Sequence, residues 1–589
     1  MDKSIKKLLF FSIIVYTIIF VFSLFIGRYL ISIKSIISFS IHDVQLEKSI
    51  ILNLRLPRAI IATLAGISLS LSGLIYQEIF QNDLVSPDLL GVSSGAGVGA
   101  SVAIVFGLSN FSISLFSFIF GIVTVLLTVL ISSAFRNKNN ITLILSGIIV
   151  GGFMSSILTA IKYFVNPETQ LSTIVYWLMG SFANVTYNNI IYVFPVVLIL
   201  FIILLLISHR INLVALGKEE TETKGINYIW YRNLIIVIAT ILTAITVSSC
   251  GTISWIGLII PHIVKSVIGR DVNKTLPLCA VFGAIFTLIT DILSRSLTQS
   301  EIPISAITGI FGSIIFTIVL INNSIIMNNK KMFLPTTDDK NSNNVGNSER
   351  DSYVSMDVSQ DDTAKRIIKI ENISFRYSKQ SEYKLNNISF DVYKNQILLL
   401  YGANGSGKTT LLKIIAGILE PTVGRVLIRN ENKDFNIHQM TLLERSRIIS
   451  YVKQDYSNIN NILVKDYLIL GMINELKFYE KPTIEQINKV IRYASELNIT
   501  KLLDKKFFEI SGGEKQLVVI CQSLLQDSEI LILDEPTAAL DSDNQELVIN
   551  TILKLVDEYN KTIILSTHYK NYKNIIGCVV KTINGGNMY

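Results

Sequence analysis

The chain has 589 residues, of which 50% are hydrophobic, and its mean hydropathy is +0.49. This composition is too apolar for a soluble protein of that length, so a large part of the chain must lie in a membrane. The net charge of +7 is mild, and no basic block with interleaved aromatic residues accompanies it, which excludes a nucleic-acid-binding surface as the main function. The four cysteines, Cys250, Cys279, Cys521 and Cys578, lie far apart and indicate neither a zinc site nor a disulfide framework.

Apolar stretches long enough to cross a bilayer fill the chain up to about residue 325. The first, residues 8–27, follows a basic flank like that of a signal peptide, but it is long enough to span and no small-residue cleavage pattern follows, so we expect a retained helix. Nine further stretches lie at residues 59–76, 89–106, 112–134, 142–164, 190–208, 234–250, 253–268, 275–297 and 304–321. The sequence therefore predicts an all-α polytopic membrane domain, residues 1–325, with about ten transmembrane helices. The stretch 253–268 contains Pro261 and is expected to be a broken helix buried in the bundle.

Basic residues indicate the orientation of these spans. An even number of spans places both termini on one side, and most basic loop residues fall on that side: Lys3, Lys6, Lys7, Arg136, Lys138, Arg210, Lys218, Lys224, Arg232, Arg270 and Lys274. Since basic loops stay in the cytoplasm, we expect a multi-pass protein of the cell membrane with both termini cytoplasmic. Arg55 and Arg58 fall in the first outer loop, against this rule, which suggests that they have another task.

Charged residues inside the spans are few. Asp291 and Arg295 stand one helical turn apart, and we expect them to form a structural ion pair, with a transport site as the alternative. No series of carboxylates or histidines crosses the membrane half, so proton or sodium coupling is poorly supported. Runs of small residues at 64–73 and 91–100 are expected to let helices approach closely, with a substrate-lining role as the alternative.

The membrane half resembles the permease subunits of iron-siderophore, heme and cobalamin ABC importers, the type II class. The segments that carry the resemblance are residues 54–100, WLMGS at 177–181, INLVALGKE at 211–219, GTISWIGLIIPHIVKSVIGRD at 251–271 and EIPISAITGIFGS at 301–313. The resemblance implies ten helices per permease, a central pathway between two copies, and delivery of cargo by an extracellular substrate-binding protein.

The same resemblance gives two groups of residues a role. It implies that Arg55 and Arg58, in the sequence RLPR, dock the substrate-binding protein; the alternative is that they bind lipid headgroups or cap loops. It also implies that residues 212–228, here called the coupling segment, touch the ATPase. The coupling residues expected within it are Ala215, Leu216, Gly217 and Glu219.

Beyond the membrane half, a polar, irregular stretch predicts a flexible linker at residues 326–365. Residues 366–589 have ordinary globular composition and contain GANGSGKTT at 402–410, between a buried-strand pattern and a helical one. Such a loop surrounds phosphates with backbone N–H groups at a helix N-terminus. The residues expected to bind ATP here are Gly402, Asn404, Gly405, Ser406, Gly407, Lys408, Thr409 and Thr410. Lys408 can reach the terminal phosphates, and the Thr409 hydroxyl can ligate Mg²⁺.

The rest of this half resembles ABC ATPases. The resemblance implies that Tyr377 stacks on adenine and that Gln454 contacts Mg²⁺ and the attacking water. The charged, helical stretch from there to about Phe508 is expected to be the helical subdomain. ISGGEKQ then supplies the signature Ser511, Gly512 and Gly513, which in this family complete the ATP site of the opposite subunit.

ILILDEPTAALD at 530–541 supplies the carboxylates. Asp534, at the end of a buried strand, can hold Mg²⁺, and Glu535 beside it can polarise the water that attacks the γ-phosphate. Asp541 matches the D-loop, and His568 matches the switch histidine that contacts the γ-phosphate.

The sequence thus predicts a membrane domain followed by an α/β P-loop ABC ATPase domain with a helical subdomain. We expect ATP-driven import of a metal chelate, with ATP and Mg²⁺ as cofactors and a ferric siderophore as cargo. Heme or cobalamin is the alternative within the family, and a nucleotide-regulated passive permease is the alternative from another class. The expected partners are a second copy or a sister fusion, the substrate-binding protein and membrane lipid, but no nucleic acid.

Overall fold

The fold was analysed in a computed structural model of the chain. It describes residues 3–27, 29, 44–135, 140–331, 366–378, 381–430, 433–456, 459, 462–477, 480–538, 540, 542–568 and 578–588.

The first half of the described chain is helical throughout. Its helices are α1 (Lys3–Phe25), α2 (Val44–Ser49), α3 (Leu56–Phe80), α4 (Val92–Val105), α5 (Asn110–Ala134), α6 (Asn140–Phe164), α7 (Ser172–Leu178), α8 (Tyr187–Ala215), α9 (Lys218–Thr223), α10 (Tyr228–Cys250), α11 (Ile256–Ile268), α12 (Val272–Ser296) and α13 (Ile304–Lys331). A π-helical turn, Ile50–Arg55, joins α2 to α3.

Seven helices in the described part of the chain are long and apolar enough to cross a membrane, counting α2 and α3 as one. Three others, α4, α11 and the first part of α13, are apolar but shorter. Length and composition therefore do not confirm the expected count of ten. Helix α11 is one of the short ones, contains Pro261 and buries most of its residues, as expected for the 253–268 stretch.

Helix α3 lies at the centre of the bundle and is buried on every side. Its small residues allow neighbouring backbones to come close, because there is no side chain to keep them apart. At the crossing with α12, a Cβ added to Gly283 would lie 2.3 Å from the carbonyl oxygen of Gly66. At the crossing with α11, a Cβ on Gly73 would lie 1.8 Å from the Gly257 oxygen. The small-residue run at 64–73 thus has the close-packing role.

Replacing Gly283 with alanine is expected to destabilise the membrane half. The new methyl group would press on backbone atoms that cannot rotate away, and such overpacking typically costs about 1–3 kcal/mol. Gly152→Ala in α6 is the matched control, because its Cβ would meet nothing within 4 Å. The thermal unfolding midpoint in detergent should fall for Gly283→Ala, and it should stay the same or rise slightly for Gly152→Ala because alanine favours a helix more than glycine does. Equal midpoints would contradict the packing at this crossing.

One end of the bundle, beside the end of α1, contains a buried ion network. Asp291 on α12 is fully buried and pairs with Arg58 at 2.6 Å and with Arg295 at 3.3 Å, which confirms the expected Asp291–Arg295 pair. Arg58 also donates to Glu301 at 2.8 Å. Arg55 donates to backbone oxygens near the end of α1, at Leu24, Phe25 and Tyr29.

The expected docking role of Arg55 and Arg58 stays a prediction, and the contacts of the two side chains do not favour it. Both side chains are buried, with residue exposures of 7% and 8%. Arg55 donates to three backbone oxygens and Arg58 pairs with two carboxylates, while Nη2 of Arg58 has no hydrogen-bond partner among the described residues. A guanidinium buried in such contacts does not present its charge at the surface. The geometry favours the alternative that these arginines cap and tie together segments of the bundle.

The boundary of the linker also differs from expectation. Helix α13 continues to Lys331, so residues 326–331, expected in the linker, are helical. The rest of the expected linker, residues 332–365, lies outside the described residues.

The second half is built on two sheets. Its strands are β1 (Arg366–Phe375), β2 (Leu385–Tyr393), β3 (Ile397–Tyr401), β4 (Val423–Asn430), β5 (Lys433–Asn436), β6 (Ile449–Val452), β7 (Ile530–Leu533), β8 (Thr562–Thr567), β9 (Cys578–Asn584) and β10 (Asn587–Met588). The helices are α14 (Lys408–Ile415), α15 (Leu442–Ile448), α16 (Val464–Ile469), α17 (Ile484–Glu496), α18 (Gly512–Leu525) and α19 (Ser542–Asp557).

One sheet has the order β2-β1-β4-β5 and is antiparallel; the other has the order β10-β9-β3-β8-β7-β6. In the second sheet β9, β3, β8, β7 and β6 are mutually parallel. Helices α16 and α17 form a helical region between β6 and α18, where the helical subdomain is expected. The loops that follow the parallel strands meet at one edge, because parallel strands end on the same side of a sheet.

Candidate functional site

Four sequence motifs meet at the carboxyl edge of the parallel sheet. The register pairs Tyr401 at the end of β3 with Thr567 at the end of β8, and Leu533 at the end of β7 with Val452 at the end of β6. The next residues along the chain are the P-loop, His568, the two carboxylates and, one residue further on from β6, Gln454. Sequence positions as far apart as 402 and 568 therefore line one site.

The P-loop is wound tightly between β3 and α14. Gly405 and Gly407 have φ values of +77° and +108°, a conformation that favours glycine. A Cβ on Gly402 would lie 2.4 Å from the backbone oxygen of Ile583, so no larger residue fits there. The Ser406 hydroxyl is buried and has no hydrogen-bond partner among the described residues. An unsatisfied buried hydroxyl in a loop that opens a helix suits a phosphate ligand.

Lys408 is 4% exposed, and its ammonium donates to the carbonyl oxygens of Gly402 at 2.8 Å and Ala403 at 3.1 Å. It also lies 3.4 Å from a carboxylate oxygen of Glu535. A buried ammonium needs such compensation, and the negative phosphates of a nucleotide would supply more.

Asp534 is held by three hydroxyl groups. Thr409 and Ser566 donate to its Oδ1 at 3.1 and 2.7 Å, and the Tyr451 hydroxyl donates to Oδ2 at 3.3 Å. Burial raises the pKa of the Asp534 carboxyl, while the hydrogen bonds from Ser566 and Thr409 oppose that shift. A nearby cation would favour the ionised form.

The hydroxyl of Thr409 and the carboxylate of Asp534 fit Mg²⁺ in their chemistry, since both are hard oxygen ligands and they are already in contact. No group of three His, Cys, Asp or Glu side chains that could hold a metal ion occurs among the residues that the structure describes. A magnesium ion here would therefore need phosphate oxygens and water to complete its ligands, as this ion commonly does in nucleotide sites.

The carboxylate of Glu535 is in contact with polar side chains from three other motifs of the site. Its Oε2 accepts from the Gln454 amide at 2.9 Å and lies 3.5 Å from Nδ1 of His568. Its backbone has φ +48°, in the left-handed region, and its N–H donates to the Ser566 hydroxyl at 3.0 Å. Left-handed backbone at a glutamate costs on the order of 1–3 kcal/mol, and strain of this kind is common at active sites.

Tyr377 lies beside the P-loop helix. Its hydroxyl is 2.9 Å from the Thr410 hydroxyl, its ring packs edge-on against Phe375, and the residue is 67% exposed. An exposed aromatic face next to a phosphate loop can receive a base.

Tyr377→Ala is expected to raise the dissociation constant for ATP by about 2- to 10-fold, the loss of one aromatic stacking contact. The control is Tyr383→Ala, which removes another exposed tyrosine whose ring lies under Arg376. Titration of the purified protein with a fluorescent ATP analogue measures both. Unchanged affinity in Tyr377→Ala would remove this tyrosine from the site.

The signature residues begin a different helix. Ser511 caps α18: its Oγ accepts from the N–H of Glu514, whose carboxylate accepts from the N–H of Ser511. Gly513 packs so closely that a Cβ would lie 2.5 Å from Asn544, and Gly512 lines a cavity with Gln454. Asp541, the expected D-loop residue, lies outside the described residues.

The coupling segment contacts the ATPase half through α9. Glu219 pairs with Lys413 of α14 at 2.6 Å, as expected of a coupling residue. Gly217, with φ +102°, begins α9, and the carbonyl oxygen of Ala215 accepts from Gln81 of the membrane half at 2.6 Å. Leu216 caps the end of α8. Of the four expected residues, Glu219 therefore makes the side-chain contact, while Ala215, Leu216 and Gly217 shape the turn that presents it.

Several side chains at these sites were missed in the sequence. Ser566, which holds both Asp534 and Glu535, was detectable as a polar residue in the otherwise apolar β8 run. Lys413, Glu220, Lys453, Lys224 and Gln526, which join the two halves, had no local signal, because each is an ordinary charged or polar residue in its own segment.

Two family comparisons cover most of the chain. The model of the FecCD transport family matches residues 15–322, and the ABC transporter model matches residues 385–538. The molybdate import system permease protein MolB of Haemophilus influenzae is 36% identical over 325 residues, which are 54% of this chain and 96% of MolB. A protein of Helicobacter pylori named as a probable iron chelatin transport system permease is 39% identical over 267 residues, which are 45% of this chain and 81% of that protein.

A solved structure gives the same assignment for the membrane half. It is described as an inward-facing conformation of a metal-chelate type ABC transporter, is 35% identical, has a TM-score of 0.50, and covers 54% of this chain and 99% of its own. The second half has the P-loop, the carboxylates and the signature helix of an ABC-type ATPase in the arrangement described above. The chain therefore belongs to the FecCD transport family and joins to that multi-pass membrane domain, in one polypeptide, an ABC transporter ATPase domain.

Proposed function

We propose that this protein is one half of an ATP-driven importer that moves a metal chelate into the cytoplasm. The observation that supports this most directly is the ion pair between Glu219 of the membrane half and Lys413 of α14, because it links the helix at the P-loop to the transmembrane bundle. The relatives named above for iron chelatin and molybdate transport belong to the same family.

The chemistry follows from the site. Lys408 would give up a carbonyl contact for the β- and γ-phosphates of ATP, while Glu535 polarises the attacking water. Mg²⁺, held by Thr409 and Asp534, would neutralise charge that develops on the phosphates. Gln454 and His568, both beside Glu535, would position the water and the γ-phosphate.

Two ATPase domains are needed for this cycle. The hydroxyl of Ser511 caps the N-terminus of α18. At this position it would contact a nucleotide bound to the P-loop of a second ATPase domain. We therefore propose a dimer, of two copies or of one copy with a sister fusion, in which each signature faces the P-loop of the other. ATP would then hold the dimer closed and favour one state of the membrane domain.

A polar face on α6 supports a pathway between the copies. Ser155, Ser156 and Thr159 are exposed on this apolar helix, and Gly152 lies on the same face one turn earlier. Ser155 donates to the Ser94 hydroxyl, Ser156 to the Gly152 carbonyl oxygen and Thr159 to the Ser155 carbonyl oxygen. In a hydrated pathway the remaining acceptor positions of these hydroxyl groups would be open to cargo. Arg210, Lys224 and Lys274 contact the ATPase half, so we place that side in the cytoplasm.

For the cargo we propose a ferric siderophore, with heme and cobalamin as the alternatives. A relative in Photorhabdus laumondii, 33% identical over 274 residues (46% of this chain and 80% of that protein), is named as a vitamin B12 import system permease, BtuC. Family membership therefore does not choose between chelates, and a direct test is needed.

The test uses the full chain in lipid nanodiscs together with the proposed substrate-binding protein. Ferric hydroxamate, ferric catecholate, heme, cyanocobalamin and molybdate are added in turn, and ATP hydrolysis is measured. Stimulation by a ferric siderophore alone supports the proposal. Stimulation by heme, cobalamin or molybdate alone replaces the cargo, and stimulation by none of them contradicts chelate import.

A further inference from the structure

The coupling segment meets the ATPase domain through three charged side chains, each at a different nucleotide-binding element. Glu219 pairs with Lys413 of α14, the helix that the P-loop begins, at 2.6 Å. Glu220, which is buried, lies 3.4 Å from Lys453, the residue before Gln454. Two neighbouring carboxylates of one short helix thus contact the P-loop helix and the segment between β6 and Gln454.

The third contact joins Lys224 to Gln526, the residue that follows α18. The Lys224 ammonium donates to the Gln526 side-chain oxygen at 2.9 Å, and both residues are 2% exposed. The Gln526 amide in turn donates to the carbonyl oxygens of Thr223, Ser446 and Ile449, at 2.9, 2.7 and 3.2 Å. Gln526 therefore joins the coupling segment, α15 and β6 at one buried point.

Stability alone does not explain a lysine at position 224. A buried ammonium loses its hydration, and an amide oxygen compensates it less than a carboxylate does. Burial lowers the pKa of Lys224 to about 8, and the negative charge of Glu220 opposes that shift. An apolar side chain of similar size would avoid the desolvation.

The position of Gln526 suggests what the contact does. Helix α18 has the signature Ser511 at its start and Gln526 at its end, and its 14 residues make a rod about 21 Å long. Movement of the signature end when a nucleotide binds would therefore displace Gln526 as part of one rigid helix. Lys224 is the membrane-half side chain that meets this end of the rod.

We propose that Lys224 and Gln526 form a positioning pair that ties the coupling segment to the signature helix, while Glu219 and Glu220 tie it to the P-loop helix and to the segment between β6 and Gln454. The proposal rests on the proposed function, since it takes ATP binding as the driving event and a dimer as the assembly. In that dimer α14 belongs to one ATP site and α18 to the other. The coupling segment is thus connected to both ATP sites of the dimer.

The test follows deuterium exchange in the membrane half when ATPγS and Mg²⁺ bind to the full chain in nanodiscs. Lys224→Met removes the charge and the hydrogen bond at similar size. Lys218→Met, in the same coupling segment but with a 59% exposed side chain, is the matched control. We expect ATPγS to change exchange at the outer ends of the membrane helices in the wild type and in Lys218→Met. In Lys224→Met the nucleotide should still bind, but the change should shrink about fivefold or more.

A charge swap at the Glu219–Lys413 pair tests the contact between the coupling segment and the P-loop helix, and neither of these two residues is fully buried. Glu219→Lys and Lys413→Glu should each weaken the exchange response, and the double variant should restore it. The proposal is overturned if Lys224→Met binds ATPγS and responds like the wild type, or if the double variant is as defective as the single ones. Loss of folding in Lys224→Met, judged from its melting profile, leaves the charge swap to decide. The exchange experiment contains no cargo, so its result does not depend on which chelate is transported. If the exchange response is normal but a separate uptake assay shows no transport of any chelate, the proposed function fails and this inference stands.

Discussion

Replacing Glu535 with glutamine is expected to lower the rate of ATP hydrolysis by about 100- to 10,000-fold, the usual contribution of a positioned general base. An amide keeps the shape of the side chain and its place between Gln454 and His568, but it cannot polarise water as a carboxylate does. ATP binding should persist, because the P-loop is untouched and removal of one negative charge near the phosphates favours the nucleotide. Steady-state hydrolysis and titration with a fluorescent ATP analogue measure the two effects.

The control for this variant is Glu529→Gln, which changes an exposed carboxylate, 3.7 Å from Lys394, just before the strand that leads to Glu535. Its hydrolysis rate should equal that of the wild type. A Glu535→Gln variant that hydrolyses ATP at more than about a tenth of the wild-type rate would remove Glu535 from the role of general base.

Lys408→Ala is expected to weaken ATP binding by about 30-fold or more, because truncating one partner of a buried charge pair typically costs 2–5 kcal/mol. The side chain is nearly fully buried, and alanine would leave the phosphates without their cation while the carbonyl oxygens of Gly402 and Ala403 lose their donor. Lys394→Ala, an exposed lysine in the same domain, is the control. Equal ATP affinity in the two variants would mean that the loop does not bind phosphate.

The ATP site was predictable because its residues stand in contiguous patterns. Thr409 and Asp534 are each marked by a local sequence, and the parallel sheet brings them together, with 3.1 Å between the hydroxyl and carboxylate oxygens. The strand order that creates this meeting cannot be read from the motifs, but any fold that places the strands in parallel collects their ends at one edge.

The membrane half was less predictable. Arg55 and Arg58 were expected to be surface charges in an outer loop. Their sequence positions indicate that they lie near the end of a span, but they do not indicate whether the side chains point into the bundle. The partner of Arg58, Asp291, is 233 positions away, and only the three-dimensional packing brings it within 2.6 Å. The number of membrane-spanning helices was also not predictable from the sequence. The apolar stretches at 89–106 and 253–268 form helices α4 and α11, which are shorter than a full membrane crossing.

Contacts between the halves were the least predictable. Lys224 and Gln526 are 302 positions apart, and neither belongs to a motif that names its partner. The resemblance to the type II importer permeases implied that residues 212–228 would touch the ATPase. It could not indicate that three side chains would each reach a different nucleotide-binding element.

The most direct measurement of the central claim is uptake of labelled ferric siderophore by proteoliposomes that contain the full chain. ATP and Mg²⁺ are placed on the side of the ATPase domain, and the proposed substrate-binding protein is placed on the opposite side of the membrane. The account predicts accumulation against a gradient in the wild type, and none with Glu535→Gln or without ATP. Equal uptake by the wild type and by Glu535→Gln would contradict it, and would indicate a passive permease that nucleotide only regulates.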